Sequence, residues 1–464
     1  MRSVVRFLGK FYDAVIRAVS SVVAALVSKR GLAVLALAAC VLLITGPWLR
    51  PPLSRDFRGL HIPIGELTSI SFVPELTVAA PRPLRWDSIA MPLLAVVGAG
   101  VVLVLIRPRW TGRVFGLLLA LSIPALAISL WNYPALIESF ESDMRDRALL
   151  RSVFRQHSEH MLSAGTPNRL AVLGNKSTRK DLLIDREHPL LLPLDYSVYG
   201  GWLIGFALVA TIASERGTWR RRFGYASVWG MAGVLLALAA TWPRLVSEYH
   251  FARAESFENA DRFEEAEDAL AAAGQAMPSM ENTWRWWLAK GRLSFRQQRL
   301  ENKFATFYLA HQAVLNGDLT RARALAEPEI RGGHASTVQC DLFAAICGQT
   351  AAEYASYAKY SAAESCWDEA MAVAPWKLAY PLAHAAAQAA AAPHRARTIA
   401  EEASPLLAHV GDRMVVSDFH SLMADAHFVS GNFDEARRMY DLAMDMFHLP
   451  KYINVPAQEG RLGM

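Results

Sequence analysis

The residues best suited to chemistry are His157, Glu159 and His160, which lie within four positions of one another. Two histidines three apart share a face of a helix, and imidazole nitrogens together with a carboxylate are common zinc ligands. The segment offers no further ligand at a recognisable spacing, since His188 is distant. The pattern therefore favours a solvated polar helix end over a metal site. We predict no catalytic residue, no metal and no cofactor.

The element that must position these three residues is a helix. Apolar residues recur at helical spacing in and just before residues 138–162, which predicts an amphipathic helix inside a loop of residues 132–195. These apolar residues are Ile137, Phe140, Met144, Val153 and Phe154. An enzyme of envelope polymers or a transport component that uses this loop is the alternative to a protein without catalysis.

The four cysteines do not form a disulfide framework. Cys40 lies in an apolar stretch, and the other three cannot all pair with one another because their number is odd. Cys347 and Cys366 are the preferred pair if the compartment is oxidising. Buried free thiols are favoured over that bond, and no CxxC redox motif is present.

Five stretches without Asp, Glu, Lys or Arg in their cores are long enough, or nearly so, to cross a bilayer. They are residues 31–49, 88–106, 114–131, 196–213 and 223–242. Tryptophans mark several of their ends, as in an interfacial aromatic belt. Because ion-coupled transport normally needs ionisable groups inside the spans, the pattern predicts an anchor. We therefore predict a membrane domain of five spans over residues 31–243.

Orientation follows from the basic residues. The two shortest loops, at residues 107–113 and 216–222, are rich in arginine, and such loops remain in the cytoplasm. Residues 244–464 contain 21 Lys and Arg against 28 Asp and Glu, whereas residues 1–243 contain 27 Lys and Arg against 15 Asp and Glu. The N-terminus is therefore expected inside and the acidic C-terminal half outside. The overall charge of +5 then reflects topology and does not indicate nucleic-acid binding.

Residues 1–30 combine basic residues with apolar residues at helical spacing, which predicts an amphipathic helix on the membrane surface. An extension of the first span into the cytoplasm is the alternative. The outer loop of residues 50–87 alternates polar and apolar residues, and this is typical of short strands. With the loop of residues 132–195 it would form a small mixed region outside the membrane.

Small residues four apart allow helices to approach closely within a membrane. Gly201 and Gly205 have this spacing in the fourth stretch, and Ala226 and Gly230 have it in the fifth. We predict helix packing at these four residues, either within the bundle or against another membrane subunit.

The C-terminal half repeats a spacing of small and aromatic residues. Ala424 is followed after twelve positions by Ala436, then by Tyr440 and Ala443 at intervals of four and three, with Gly431 at the turn. The same offsets begin at Ala351 and at Ala254. Less regular units run through residues 310–322 and 384–396. We predict five or six helical hairpins between about residues 245 and 450.

This spacing resembles the tetratricopeptide repeat family over a little under half of the chain. The resemblance implies an α-solenoid for residues 244–464, so the predicted fold is mainly α: a five-helix transmembrane bundle followed by this solenoid. It also implies a concave groove, lined by the first helix of each hairpin, that binds other proteins. The residues carried into the groove by the resemblance are Asp418, Ser421, Asp425, Phe428, Glu255 and Glu258.

Two further expectations concern partners. An acidic groove favours a basic or amide-rich partner segment. Of the three tryptophans at residues 284, 286 and 287, we expect one, represented by Trp284, to remain exposed as a contact anchor. Together these features predict a scaffold in the bacterial inner membrane that binds proteins outside it, contacts the lipid bilayer and supports assembly of an envelope complex.

Overall fold

The computed structural model shows a mainly α-helical protein. It describes residues 29–49, 57–58, 60, 62, 86–131, 134–165, 199–215, 218–333, 335–357, 359–408, 410 and 412–445. The interfacial helix predicted for residues 1–30 lies almost wholly outside these ranges, as do most of the strands predicted in residues 50–87. A short antiparallel pair is described there, between β1 (Pro47–Leu49) and β2 (Phe57–Arg58).

Five apolar helices form the first part of the structure. They are α1 (Lys29–Thr45), α2 (Ala90–Ile106), α3 (Thr111–Trp131), α5 (Tyr199–Ser214) and α6 (Trp219–Ala240). Helix α3 is central and packs against α2, α5 and α6. Its side chains share one apolar core with those of α1, α2 and α5, including the fully buried Leu37, Leu93, Leu118 and Leu203.

Two of the five apolar helices are as long as a membrane span requires. Among the described residues, Pro108–Leu130 and Trp219–Ala240 are long and apolar enough to cross a membrane by length and composition. The remaining three apolar helices, Gly31–Thr45, Ala90–Ile106 and Tyr199–Ser214, are shorter. The five predicted apolar helices are thus present, and two of them have the length and composition of membrane spans.

Contacts at glycines give the directions of these helices. Gly116 packs against Trp229 and Gly233 against Ala120, so α3 and α6 run parallel. The start of α5 meets the end of α3 where Gly200 lies against Leu126, so these two helices run antiparallel. Consequently α3 and α6 end on one side of the bundle, and the arginines of residues 107–113 and 220–222 lie on the other.

The close packing uses other glycines than those predicted. A Cβ added at Gly201, Gly205 or Gly230 would meet no atom within 4 Å among the described residues. A Cβ at Gly116 or Gly233, by contrast, would approach neighbouring atoms to 2.4 and 2.8 Å. The predicted packing at the first three positions is therefore not made within the described bundle, whereas the predicted Ala226 is buried.

A stack of helices follows directly from α6. Its members are α7 (Trp242–Asn259), α8 (Phe263–Ala276), α9 (Trp284–Arg296), α10 (Lys303–Leu315), α11 (Leu319–Arg331), α12 (Thr337–Ser356), α13 (Tyr360–Val373), α14 (Ala379–Ala391), α15 (Ala396–Leu407), α16 (Arg413–Val429) and α17 (Phe433–Asp445). Successive helices contact one another along the stack. The hairpins with the clean repeat spacing are α7/α8, α12/α13 and α16/α17.

Local sequence explains where these helices turn and begin. Gly317 and Gly431 have φ of +77° between the two helices of their hairpins, a conformation in which a Cβ is unfavourable. The side chain of Ser336 accepts a hydrogen bond from the backbone N–H of Gln339, whose side chain bonds back to the Ser336 N–H, and this capping box begins α12. Short polar side chains therefore set the boundaries that the spacing predicts.

The small residues of the spacing lie where helices cross. Ala254, Ala351 and Ala424 are at most 4% exposed, and their partners twelve positions later are fully buried. Side chains larger than alanine would separate the two helices of each hairpin. Helix α9 lies between the α7/α8 and α10/α11 hairpins and packs against α10, and its tryptophans pack into the core of this first part of the stack.

Candidate partner-binding groove

A long helix from the first half of the chain lies against the hairpin stack. This groove helix, α4 (Pro134–Gly165), contacts α12, α14 and α16, which are the first helices of the last three hairpins. Its apolar side chains Leu149, Leu150, Val153, Phe154 and Met161 are buried in one core with residues of all three. The helix predicted for residues 138–162 thus exists, and its apolar face fills a groove between α12, α14 and α16.

The groove helix runs parallel to α16 in a constant register. Arg151 Nε lies 2.7 Å from Asp418 Oδ2, and Ser158 donates a hydrogen bond to Asp425. Both pairs are separated by the same number of residues, so two positions seven apart on α4 match two positions seven apart on α16. Side chains seven apart lie on one face of a helix, and this explains why the match extends along the interface.

The contacts with the groove helix continue at the start of α16. Arg147 forms an ion pair with Asp412, whose other carboxylate oxygen accepts a hydrogen bond from the Met414 N–H and caps α16. The ring of Phe154 packs edge-on against that of Phe419, with 5.6 Å between ring centroids. Asp412 therefore fixes the N-terminus of α16 and the position of the groove helix together.

Asp425 is the buried centre of this interface. It is 1% exposed and accepts hydrogen bonds from Ser158 on the groove helix and from the Tyr440 hydroxyl on α17. Burial, the Asp425 charge and this hydrogen bond raise the pKa of Tyr440, so its hydroxyl stays protonated and donates. One carboxylate thus joins the groove helix to both helices of the last hairpin.

A second charged cluster holds the N-terminal part of the groove helix. Lys377 Nζ lies 3.2 Å from Asp146 Oδ2 and also pairs with Asp341. Burial works against the Lys377 charge, but the two carboxylates outweigh it and raise the pKa of Lys377, which therefore stays protonated. Arg145 lies over the ring of Trp284, 4.4 Å from its centroid. These contacts connect α4 with α9, α12 and the start of α14.

Around this cluster a small cleft, partly open to solvent, remains between the groove helix and the stack. It is lined by side chains of α4, α9, α10, α12 and α14 and by Lys377 just before α14, including Trp284, His311, Gln349 and Tyr380. The groove helix therefore fills the C-terminal part of the concave surface more completely than the part next to α9 and α10.

His157 is buried between the groove helix and the stack. It is 1% exposed, and its ring lies 5.7 Å from that of Tyr360. Neither ring nitrogen has a hydrogen-bond partner among the described residues. Burial, with a smaller contribution from His160, lowers the pKa of His157 to about 4, so the imidazole is neutral at physiological pH.

The three candidate metal ligands His157, Glu159 and His160 differ in their exposure to solvent. Glu159 and His160 are exposed, whereas His157 faces the groove. Within the described ranges, no group of three or more His, Cys, Asp or Glu side chains could hold a metal ion. The alternative of an open catalytic site at these three positions would require His157 to leave the groove.

The predicted groove residues of the last repeat divide into two kinds. Asp418 and Asp425 contact the groove helix, as described above. Ser421 is buried and donates to the backbone carbonyl of Ser417, and Phe428 packs against Phe433 of the next helix, with ring centroids 5.5 Å apart. Two of these four predicted residues therefore bind a helix, and the ligand they bind belongs to the same chain.

The predictions for the first repeat and for Trp284 need correction. Glu258 is buried in a bidentate pair with Arg292, at 2.6 Å for both contacts, so it stabilises the stack and is not presented to a partner. Glu255 remains partly exposed and lies 3.9 Å from Arg285. The expectation of an exposed tryptophan is wrong, because residues 284, 286 and 287 are at most 5% exposed. The Trp284 indole instead donates to Asp341, at 2.8 Å.

The cysteines of the stack are free thiols. Cys347 and Cys366 are buried on the two helices of one hairpin and are not bonded to each other. The Cys347 thiol lies 3.6 Å from Glu369, which in turn pairs with Arg323 at 2.7 Å. Burial and the neighbouring carboxylate raise the pKa of Cys347, so this thiol is a poor nucleophile.

Comparisons with protein-family models, with curated proteins and with solved structures give no significant match.

Sequence reasoning identified Asp418 and Asp425 but missed the side chains that bind them. No local pattern relates Arg151 and Ser158 to these acids, because the partners are 267 residues apart in sequence. The partners of Lys377, Asp146 and Asp341, also lie far from it in sequence.

Proposed function

We propose that this protein is a membrane-anchored scaffold of the tetratricopeptide-repeat type, which binds other proteins through its hairpin stack and supports the assembly of an envelope complex. The observation that carries the proposal is the occupied groove. Three successive first helices hold one amphipathic helix through a continuous apolar face and a row of carboxylates in register with its cations. A surface of this shape suits the recognition of helices.

The five apolar helices support the anchoring part of the proposal. Helix α6 exposes large apolar side chains along its length, and only 11% of its most apolar 18-residue stretch is buried. Among the exposed residues are Phe223, Val228, Met231 and Leu235. An apolar face of this length in a single chain fits lipid or another membrane subunit. The shorter α1, α2 and α5 would span with the help of adjoining residues.

The directions of the helices support the proposed topology. The basic segments lie at one end of the bundle, and both α4 and the hairpin stack leave from the other end. Under the positive-inside rule, the basic end faces the cytoplasm and the stack lies outside the bacterial inner membrane. This gives five passes with the N-terminus inside.

Topology is tested with single cysteines in a background in which the four native cysteines are replaced by serine or alanine. Asp261→Cys on the stack and Arg221→Cys at the basic end suit this purpose, since both side chains are at least 74% exposed. A membrane-impermeant maleimide applied to intact cells with a permeabilised outer membrane should label position 261 alone. Labelling of position 221 under the same conditions would invert the proposed orientation.

Scaffolding is tested by affinity purification from membranes with a photo-crosslinking residue at an exposed position. Tyr357 on the stack is 68% exposed, and Leu235 on α6 serves as the matched lipid-facing control. Defined protein adducts should form from position 357, and proteins that co-purify with the chain without crosslinking should be lost when residues 244–464 are deleted. If position 357 gives no more protein adducts than position 235 in repeated purifications, the scaffold proposal is wrong.

A further inference from the structure

We infer that the groove helix α4 is a resident ligand that a helix of the same chemistry from another protein replaces when the scaffold binds its partner. The inference rests on the proposed function and names the chemistry of the partner. The partner segment is an amphipathic α-helix with an apolar face and arginines along one edge. It binds parallel to α16, on the face formed by α12, α14 and α16.

The groove itself specifies this chemistry. Asp412, Asp418 and Asp425 form a row of carboxylates along α16, and each of them accepts a contact from α4. Beside that row lies an apolar surface that includes Phe343, Phe419 and Leu422. A helix with arginines four apart and a hydroxyl seven positions further on reproduces the contacts that Arg147, Arg151 and Ser158 make with Asp412, Asp418 and Asp425.

Imperfect contacts make α4 replaceable. His157 places two ring nitrogens without a hydrogen-bond partner among the described residues at a site that is 1% exposed. A buried polar group left in this way lowers affinity by about tenfold or more. A partner helix with leucine at the equivalent position avoids this cost and therefore binds the groove better than α4 does.

The attachment of α4 to the bundle has the opposite effect. Two residues, 132 and 133, separate α4 from α3, and a tether this short gives α4 an effective concentration on the order of millimolar. A free copy of α4 must compete with that concentration and binds weakly, whereas a helix with higher intrinsic affinity displaces it. Occupancy of the groove by α4 therefore depends on two opposing effects. The short tether favours α4, whereas the buried His157 weakens its binding.

The experiment uses the purified full chain in detergent and a fluorescent synthetic peptide of residues 141–163. The chain variant R147E/R151E weakens the internal helix and leaves the groove unchanged. We expect this variant to bind the peptide at least about tenfold more tightly than the wild-type chain does. A peptide that carries the same two substitutions should not bind. The chain variant R397E is the matched control, because Arg397 is exposed on α15 and pairs with Glu401 on its own helix; it should behave as wild type.

A second comparison tests the contribution of His157, first in the peptide and then in the chain. The substitution His157→Leu in the peptide should raise its affinity for the R147E/R151E chain by about tenfold. The same substitution in an otherwise wild-type chain should weaken binding of the unmodified peptide by a similar factor. If R147E/R151E does not fold, Arg151→Gln gives a milder version of the first comparison.

The inference is wrong if a folded R147E/R151E chain binds the peptide no better than wild type, because α4 is then a fixed part of the domain. It is also wrong if the variant exchanges α4 between two copies and becomes dimeric by native mass, since the occupant is then a second copy of this chain. Loss of co-purifying partners on deletion of residues 244–464 without peptide binding would refute this inference alone. Peptide binding without any crosslinked partner would refute the scaffold function alone.

Discussion

Acidification should release the groove helix, and His157 sets the size of this effect. The pKa of its buried imidazole is lowered from 6.5 to about 4. Because the folded protein disfavours the charged form, the stability from neutral His157 is complete above pH 6.5 and is lost as the pH falls. Between about pH 7.5 and pH 5.0 the loss is about 2 kcal/mol, or roughly 25-fold in the opening equilibrium of α4, and it approaches about 3 kcal/mol below pH 4.

Hydrogen–deuterium exchange of the purified full chain measures this opening directly. Protection of amides in residues 150–160 is compared at the two pH values in wild type and in His157→Leu, after correction for intrinsic exchange. The pKa of Asp418 is raised and those of His420 and His427 are lowered, chiefly by burial, but these groups are the same in both proteins and their effects cancel. The wild type should lose about 25-fold more protection than His157→Leu.

At neutral pH His157→Leu should be at least as well protected as wild type, because it removes two buried polar nitrogens. Equal loss of protection on acidification in both proteins would show that His157 is not the group responsible. Weaker protection of the leucine variant at neutral pH would show that the imidazole makes a stabilising contact, and the argument from its burial would then fail.

Three further substitutions test the packing. Asp425→Ala leaves the buried hydroxyls of Ser158 and Tyr440 without their acceptor and should cost about 2–4 kcal/mol, seen as a lower thermal midpoint and faster exchange in α4. Lys377→Met leaves buried carboxylates without their cation and should lower the midpoint by roughly 5–10 °C; an unchanged midpoint would contradict the ion-pair assignment. Gly116→Ala places a Cβ 2.4 Å from a tryptophan ring and should destabilise the bundle by about 1–3 kcal/mol, whereas Gly205→Ala should have no effect.

The sequence predicted the helical hairpins because their signal is local. Ala424 and Ala436 must both be small, since they lie at a helix crossing twelve residues apart in sequence, and Gly431 supplies the left-handed turn between them. The apolar helices were equally visible, because composition alone marks them. Elements that depend on short stretches of chain are therefore well predicted here.

The occupant of the groove was not predictable in the same way. Arg151 and Asp418 are 267 residues apart, and no local pattern relates them. The acids of α16 could be identified as groove residues from the repeat spacing, but their exposure could not, because it depends on where α4 lies. The same reason explains Trp284: whether a tryptophan is exposed depends on the neighbour above it, and here Arg145 of α4 occupies that place.

The order of synthesis has a consequence for how this protein matures. The groove helix ends at residue 165, whereas α16, the last helix of its binding surface, ends at residue 429. At translation rates of about 5–20 residues per second, the helix waits roughly 15–60 s before its receptor is complete. During that interval its apolar face must lie against lipid headgroups or a chaperone. Premature termination before α16 would leave that face exposed, so quality control of nascent chains should act most strongly on products that end there.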